Sequence, residues 1–224
     1  MLDNIAQVGV DHIVCLGDVA TLGPAPNAVL RTLRALGCLC IMGNHDEFLL
    51  DPTLIHTYTE SPRIMAAVDW CRSQLSEEAL DFLRTFQPYR EISLDAQAML
   101  LLFHGSPRSH MDNILSTTSP NELDRLLAGH NAPVMAGGHT HIQMLRQHRG
   151  LLIVNPGSVG LAFKEFVVGQ PPTLLAHAEY ATVEATHHGV TVTLRRVPLN
   201  KGVLREAVGA CDNPLRGWLL QQYA

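Results

Sequence analysis

The chain has 224 residues, 46% hydrophobic and only 5% aromatic, which suffices for one large domain with an aliphatic core over residues 1–224 and does not require a second. Sixteen basic against 21 acidic side chains give a net charge of −5, and no lysine or arginine cluster of the kind that tracks a nucleic-acid backbone occurs, so a nucleic-acid partner is not expected. A chain of this sign repels phosphate unless bound divalent cations invert the local field, and its 12 histidines supply the commonest metal-ligating side chain near neutral pH.

Leucine, isoleucine and valine at helical spacing across residues 2 to 8 stop at Gly9 and read as the last turns of a helix. The apolar run 12 to 16 ends at Gly17-Asp18 and predicts a buried parallel strand that delivers Asp18 to its carboxyl end. A glycine- and proline-rich loop follows, Pro26 opens a helix through about Leu36, and a second short strand covers 38 to 42. This β-α-β order implies a parallel pair. The second strand runs into Gly43-Asn44-His45-Asp46, which places an amide, an imidazole and a carboxylate in consecutive positions at a strand's carboxyl end, where ligands of open α/β sheets bind.

Two helices with serine starts are expected at 61 to 73 and 76 to 86, then strands at 92 to 94 and 98 to 103 around a turn near Asp95, the second ending on His104-Gly105. Ser119 caps a helix to about 129, with Pro120 at its first position. A strand at 133 to 136 runs into Gly137-Gly138-His139-Thr140-His141. Two more short strands flank Arg149-Gly150, the second ending on Asn155-Pro156-Gly157-Ser158. A hairpin over about 177 to 197 turns at His188-Gly189, and two helices close the chain.

Polar groups thus recur at one place in the pattern, the carboxyl end of an apolar strand followed by glycine: Asp18, Asn44-His45-Asp46, His104, and His139 with His141. Carboxylate, amide and imidazole together suit a hard-to-borderline divalent ion such as Mn, Fe, Ni or Zn. The blocks Gly17-Asp18, Gly43-Asn44-His45-Asp46, His104-Gly105 and Gly138-His139-Thr140-His141 resemble those of the calcineurin-like metallophosphoesterases. The longer strings Gly-Asp-Val-Ala-Thr-Leu-Gly-Pro, His-Gly-Ser-Pro-Arg and Asn-Pro-Gly-Ser-Val-Gly resemble the small bacterial phosphodiesterase branch.

That resemblance implies an α/β fold, a four-layer α/β/β/α sandwich of two mixed sheets, and a site holding two divalent metal ions. Asp18 would bridge the ions, Asn44, His104 and His139 would complete the shell of one, and His141 would ligate the other. His45, held by Asp46, would contact the phosphoryl oxygen or protonate the leaving group of a small phosphate-ester substrate, with in-line attack by a metal-bound hydroxide. Arg108 is either a substrate-phosphate contact or an exposed surface arginine. The family's opening strand, which ends in Asp-x-His and supplies two ligands to the first ion, has no counterpart in this sequence, so the expectation is a missing central strand and one complete metal site. The alternative is a non-catalytic scaffold on the same fold, as in the retromer subunit that resembles this family.

The remaining signals are bland. The odd set of five cysteines reads as reduced thiols in a cytoplasmic protein; no run is long enough to cross a bilayer, and the amino terminus lacks the pattern of a signal peptide. His187-His188 reads as a solvated turn, Trp70 and Trp218 as core anchors, and Asn155-Pro156-Gly157-Ser158 as a turn with a packing role near the metals or as the site rim.

Overall fold

The computed structural model describes residues 1–94, 98–167 and 169–224. They form two compact units, the first made of Met1–Gly9 with Pro88–Pro198, the second of Val10–Gln87 with Leu199–Ala224. The chain opens in the first unit with helix α1 (Leu2–Val8). Its Ile5 is buried, and Asn4 Oδ1 accepts a 2.7 Å bond from the Tyr180 hydroxyl, which ties this helix to its own unit.

The second unit begins with the expected β-α-β. Strand β1 (Val14–Cys15) pairs in parallel with β2 (Leu39–Cys40), Cys15 opposite Cys40, and α2 (Pro26–Ala35) lies between them in sequence. Both strands are shorter than their apolar runs because the chain leaves extended geometry early: Gly17 has φ 98 and Asp18 φ 58, which ends β1. A parallel bridge from Ile41 to Gln87 continues the pairing past β2.

Helix α3 (Asn44–Leu50) starts directly on Gly43 and buries Phe48 and Leu49. It was not expected, because its first turn, Asn-His-Asp, carries no apolar periodicity. A 3-10 turn (Pro52–Thr57) follows, then α4 (Pro62–Ser73) and α5 (Glu77–Leu83). The last two match the expected pair, and Ser76 Oγ accepts from Ala79 N–H at 3.3 Å as the N-cap of α5. Trp70 on α4 is only partly buried, so it is not the core anchor its apolar stripe suggested.

The first unit resumes with β3 (Tyr89–Ser93) and β4 (Met99–Phe103), an antiparallel pair; the turn expected near Asp95 lies outside the described residues. Helix α6 (Pro120–Leu127) is capped by Ser119, whose Oγ accepts from Glu122 N–H at 3.3 Å. Strands β5 (Val134–Ala136), β6 (Met144–His148) and β7 (Leu151–Asn155) complete a mixed five-stranded sheet in the order β3-β4-β5-β7-β6. Leu123, Leu126 and Leu127 of α6 pack with Leu101, Phe103, Met135 and Ile153 of the sheet in one buried cluster. Full burial of each such side chain stabilises the fold by about 1.5–3 kcal/mol.

The core is aliphatic, as the composition required. Parallel β4, β5 and β7 all end at one sheet edge, with Ala136 beside Leu102 and Val154. His104, the 137–141 turn and Asn155 are therefore delivered together. The hairpin β8 (His177–Thr186) and β9 (Gly189–Pro198) forms as expected. Two helices of the second unit, α7 (Lys201–Gly209) and α8 (Arg216–Gln222), close the chain, and Trp218 on α8 is again only partly buried. All five cysteines are free thiols, and among the described residues no helix is long and apolar enough to cross a membrane.

Candidate functional site

Four of the seven candidate residues belong to the second unit. Asp18 follows Gly17 in a left-handed conformation, φ 58, a region that non-glycine residues seldom adopt and that surrounding structure must hold. The restraint is the Asp46 carboxylate. Its Oδ2 accepts from Asp18 N–H at 2.7 Å and Gly43 N–H at 2.9 Å, and its Oδ1 accepts from Val19 N–H at 2.9 Å. Asp18 in turn uses Oδ1 to accept from His45 N–H at 2.9 Å.

Asp46 was expected to hold the His45 ring; its carboxylate accepts from three main-chain N–H groups and so locks two loops together. Neighbouring residues on a helix diverge by about 100°, so positions 45 and 46 at the start of α3 do not face each other. Burial, and then the Asp18 charge, push the Asp46 carboxyl up to about 7, while the N–H groups of Val19, Gly43 and Asp18 oppose the shift.

Gly43 is dictated by the same packing. A Cβ there would lie 2.2 Å from Asp18 Oδ1 and 2.6 Å from Asp18 N, so any side chain would displace the aspartate. Asn44 is 0% exposed, and neither its amide oxygen nor its amide nitrogen has a hydrogen-bond partner among the described residues. A buried amide left in that state costs about 1–3 kcal/mol, a cost that a cation on its oxygen would offset. His45 is 6% exposed, with its ring edge-on to Phe48 and Tyr58.

The other three candidates belong to the first unit. His104 follows β4 and is 2% exposed. His139 and His141 both sit at positive φ, 63 and 56, in the turn after β5. The His139 Nδ1 to His104 Nε2 distance is 3.3 Å; two imidazole nitrogens that each reach one ion at about 2.0–2.1 Å stand roughly this far apart. His141 Nδ1 faces the Leu161 carbonyl at 2.8 Å. That contact fixes the tautomer with the proton on Nδ1 and the lone pair on Nε2, the arrangement that metal-ligating histidines use.

Asn155 turns out to be the brace of this turn, which resolves the sequence alternatives in favour of packing. It is 3% exposed; its Nδ2 donates to Gly138 O at 2.7 Å and to Thr140 Oγ1 at 3.0 Å, while its Oδ1 accepts from Gly157 N–H at 2.9 Å. Glu179 stands behind it and carried no signal in the sequence. A Cβ on Gly157 would fall 1.9 Å from Glu179 Oε2, and Glu179 Oε1 is held by His177 Nε2 at 2.9 Å and Arg196 Nε at 3.2 Å. Arg108 is exposed and donates to Arg125 O at 3.4 Å. His187 and His188 form the exposed hairpin turn.

The donor set fits a divalent ion. It offers carboxylate oxygen, amide oxygen and imidazole nitrogen with no thiolate, and it includes a buried amide that the described residues leave unsatisfied. The fold is shared with solved structures. A hypothetical protein from Pyrococcus horikoshii superposes with a TM-score of 0.79 at 17% identity, covering 98% of this chain and 88% of that one. A metallophosphoesterase from Sphaerobacter thermophilus gives 0.70 at 21% identity, covering 99% and 92%. An uncharacterised protein of Methanocaldococcus jannaschii is 26% identical over 186 residues, 80% of this chain and 74% of its own. The family described as "Calcineurin-like phosphoesterase superfamily domain" matches residues 1–180, a span that contains every candidate residue from Asp18 to His141. The chain belongs to the calcineurin-like phosphoesterase superfamily.

Proposed function

We propose that the protein is a metal-dependent phosphoesterase that hydrolyses phosphodiesters. Asp18, Asn44, His104 and His139 would hold one divalent ion, and His141 with Asp18 would serve a second. The observation that carries this reading is Asn44, fully buried with both amide atoms unbonded by protein among the described residues, in the family block where an amide ligand belongs. Bound divalent ions would supply Lewis-acid stabilisation of phosphoryl charge and a hydrolytic nucleophile at neutral pH.

The chain's own residues do the rest. Asp46 fixes Asp18 and Gly43 through their N–H groups, so the Asp18 carboxylate is preorganised and does not reorganise on binding. Asn155 fixes the turn that presents His139 and His141. His45, packed between aromatic rings, donates a proton to the leaving-group oxygen as the ester bond to phosphorus breaks, or a hydrogen bond to the phosphoryl oxygen.

The test is turnover. Protein purified with manganese is offered a panel of aryl phosphodiesters and cyclic nucleotides, and hydrolysis is expected that disappears with a chelator and returns with the ion. His45→Ala is expected to lower kcat by about 10²–10⁴-fold, the usual contribution of a general acid, at unchanged metal content. No hydrolysis of any panel member by metal-loaded wild-type protein would overturn the proposal.

A further inference from the structure

His45 is flanked by two aromatic rings that differ in access. Phe48 lies at a centroid distance of 5.2 Å and Tyr58 at 5.3 Å, but Phe48 is 1% exposed whereas Tyr58 keeps 41% of its surface open. The chain holds Tyr58 in place by local structure. Asp51 caps the 3-10 turn by accepting Thr53 N–H at 3.0 Å, the buried Ile55 anchors that turn, and Tyr58 N–H donates to Ile55 O at 3.0 Å. The ring then stands nearly perpendicular to His45, at 79°, and tilted by 44° against Phe48 at 5.6 Å.

A leaving-group oxygen that takes a proton from His45 must come within about 3 Å of the imidazole. Tyr58 is the exposed ring 5.3 Å from that imidazole, centroid to centroid, and offers a face on which a ring carried by the leaving-group oxygen can stack and a methyl group cannot. We propose that Tyr58 is the leaving-group subsite, a specificity-determining residue that selects phosphoesters whose leaving group carries a planar aromatic ring. This rests on the hydrolytic reading, with His45 on the leaving-group side, and adds the substrate class. No candidate motif includes Tyr58; it lies in the segment between α3 and α4.

The experiment compares binding of phenylphosphonate and methylphosphonate, neither of which is hydrolysed, to manganese-loaded wild-type, Tyr58→Ala and Tyr58→Phe proteins by titration calorimetry. Removal of a stacking partner costs about tenfold in affinity. The expected result is that wild type and Tyr58→Phe bind the phenyl compound about tenfold more tightly than the methyl one, and that Tyr58→Ala loses this preference while its affinity for methylphosphonate is unchanged. Equal binding of the two phosphonates by wild type, or a preference that survives in Tyr58→Ala, would overturn the subsite. Turnover of the phosphodiester panel, measured alongside, separates the two ideas: turnover without the preference overturns Tyr58 alone, and the preference without turnover overturns the hydrolytic reading and, with it, the assignment of Tyr58 to a leaving group.

Discussion

Asp46 ties Asp18, Val19 and Gly43 together by their N–H groups. Asp46→Asn keeps the shape but turns an amide nitrogen toward one set of those donors, leaving main-chain groups unpaired at a cost of about 1–3 kcal/mol. Urea denaturation is expected to show that loss for Asp46→Asn and a much smaller one for His45→Ala; equal midpoints for Asp46→Asn and wild type would show that the clamp carries no stability.

Gly43→Ala places a methyl 2.2 Å from Asp18 Oδ1. It is expected to destabilise by about 1–3 kcal/mol as an overpacked site and to release bound manganese, read by elemental analysis. The glycine is legible in the sequence as part of a block; the reason for it, a close approach by a residue 25 positions earlier in the chain, is not.

Elements were legible where local pattern and partner agree. The proline start of α2, the serine caps of α5 and α6 and the hairpin around Gly189 are all written in short stretches. Strand lengths were not, because a ladder is as long as its partner allows, and β1 and β2 pair over two residues each. Helix α3 was hidden because its first turn is polar and its N-cap is a glycine, with Asp46 reaching back to the Gly43 N–H to close the cap. Arg149-Gly150 is a two-residue hairpin turn with φ 47 and 84, the positive pair that a type I′ turn demands. The sequence marks the turn but not its tether: Arg149 Nη2 donates to Asp124 Oδ2 at 2.7 Å, and His148 Nε2 lies 2.7 Å from Asp124 Oδ1. Arg149, and then His148, hold the Asp124 carboxyl at about 2, below its ordinary 3.8. A depressed carboxylate stabilises the fold above its unfolded value, and the effect is lost as pH falls from about 4 toward about 2. Asp124→Asn is therefore expected to flatten the acid limb of the stability profile in that window, measured by denaturation at stepped pH; an acid limb identical to wild type would remove the tether from the account.

At the scale of the whole molecule, the candidate residues fall on both units, Asp18, Asn44, His45 and Asp46 on the second and His104, His139 and His141 on the first. Each set has its own brace, Asp46 for one and Asn155 for the other. Asn155→Ala is expected to weaken manganese binding by about 10–100-fold, the usual effect of losing an outer-shell partner, while the secondary-structure spectrum stays unchanged; unchanged affinity would show that the turn needs no brace. The sequence blocks made both sets visible, whereas the braces became visible only with hydrogen bonds that join residues 15 to 28 positions apart.

The central claim is that Asn44 is the amide ligand of a bound divalent ion. Metal stoichiometry by elemental analysis of wild type, Asn44→Ala and His45→Ala, each purified with manganese, tests it most directly. The account predicts that Asn44→Ala loses an ion that wild type and His45→Ala both keep. An Asn44→Ala variant that keeps the full wild-type complement would contradict it.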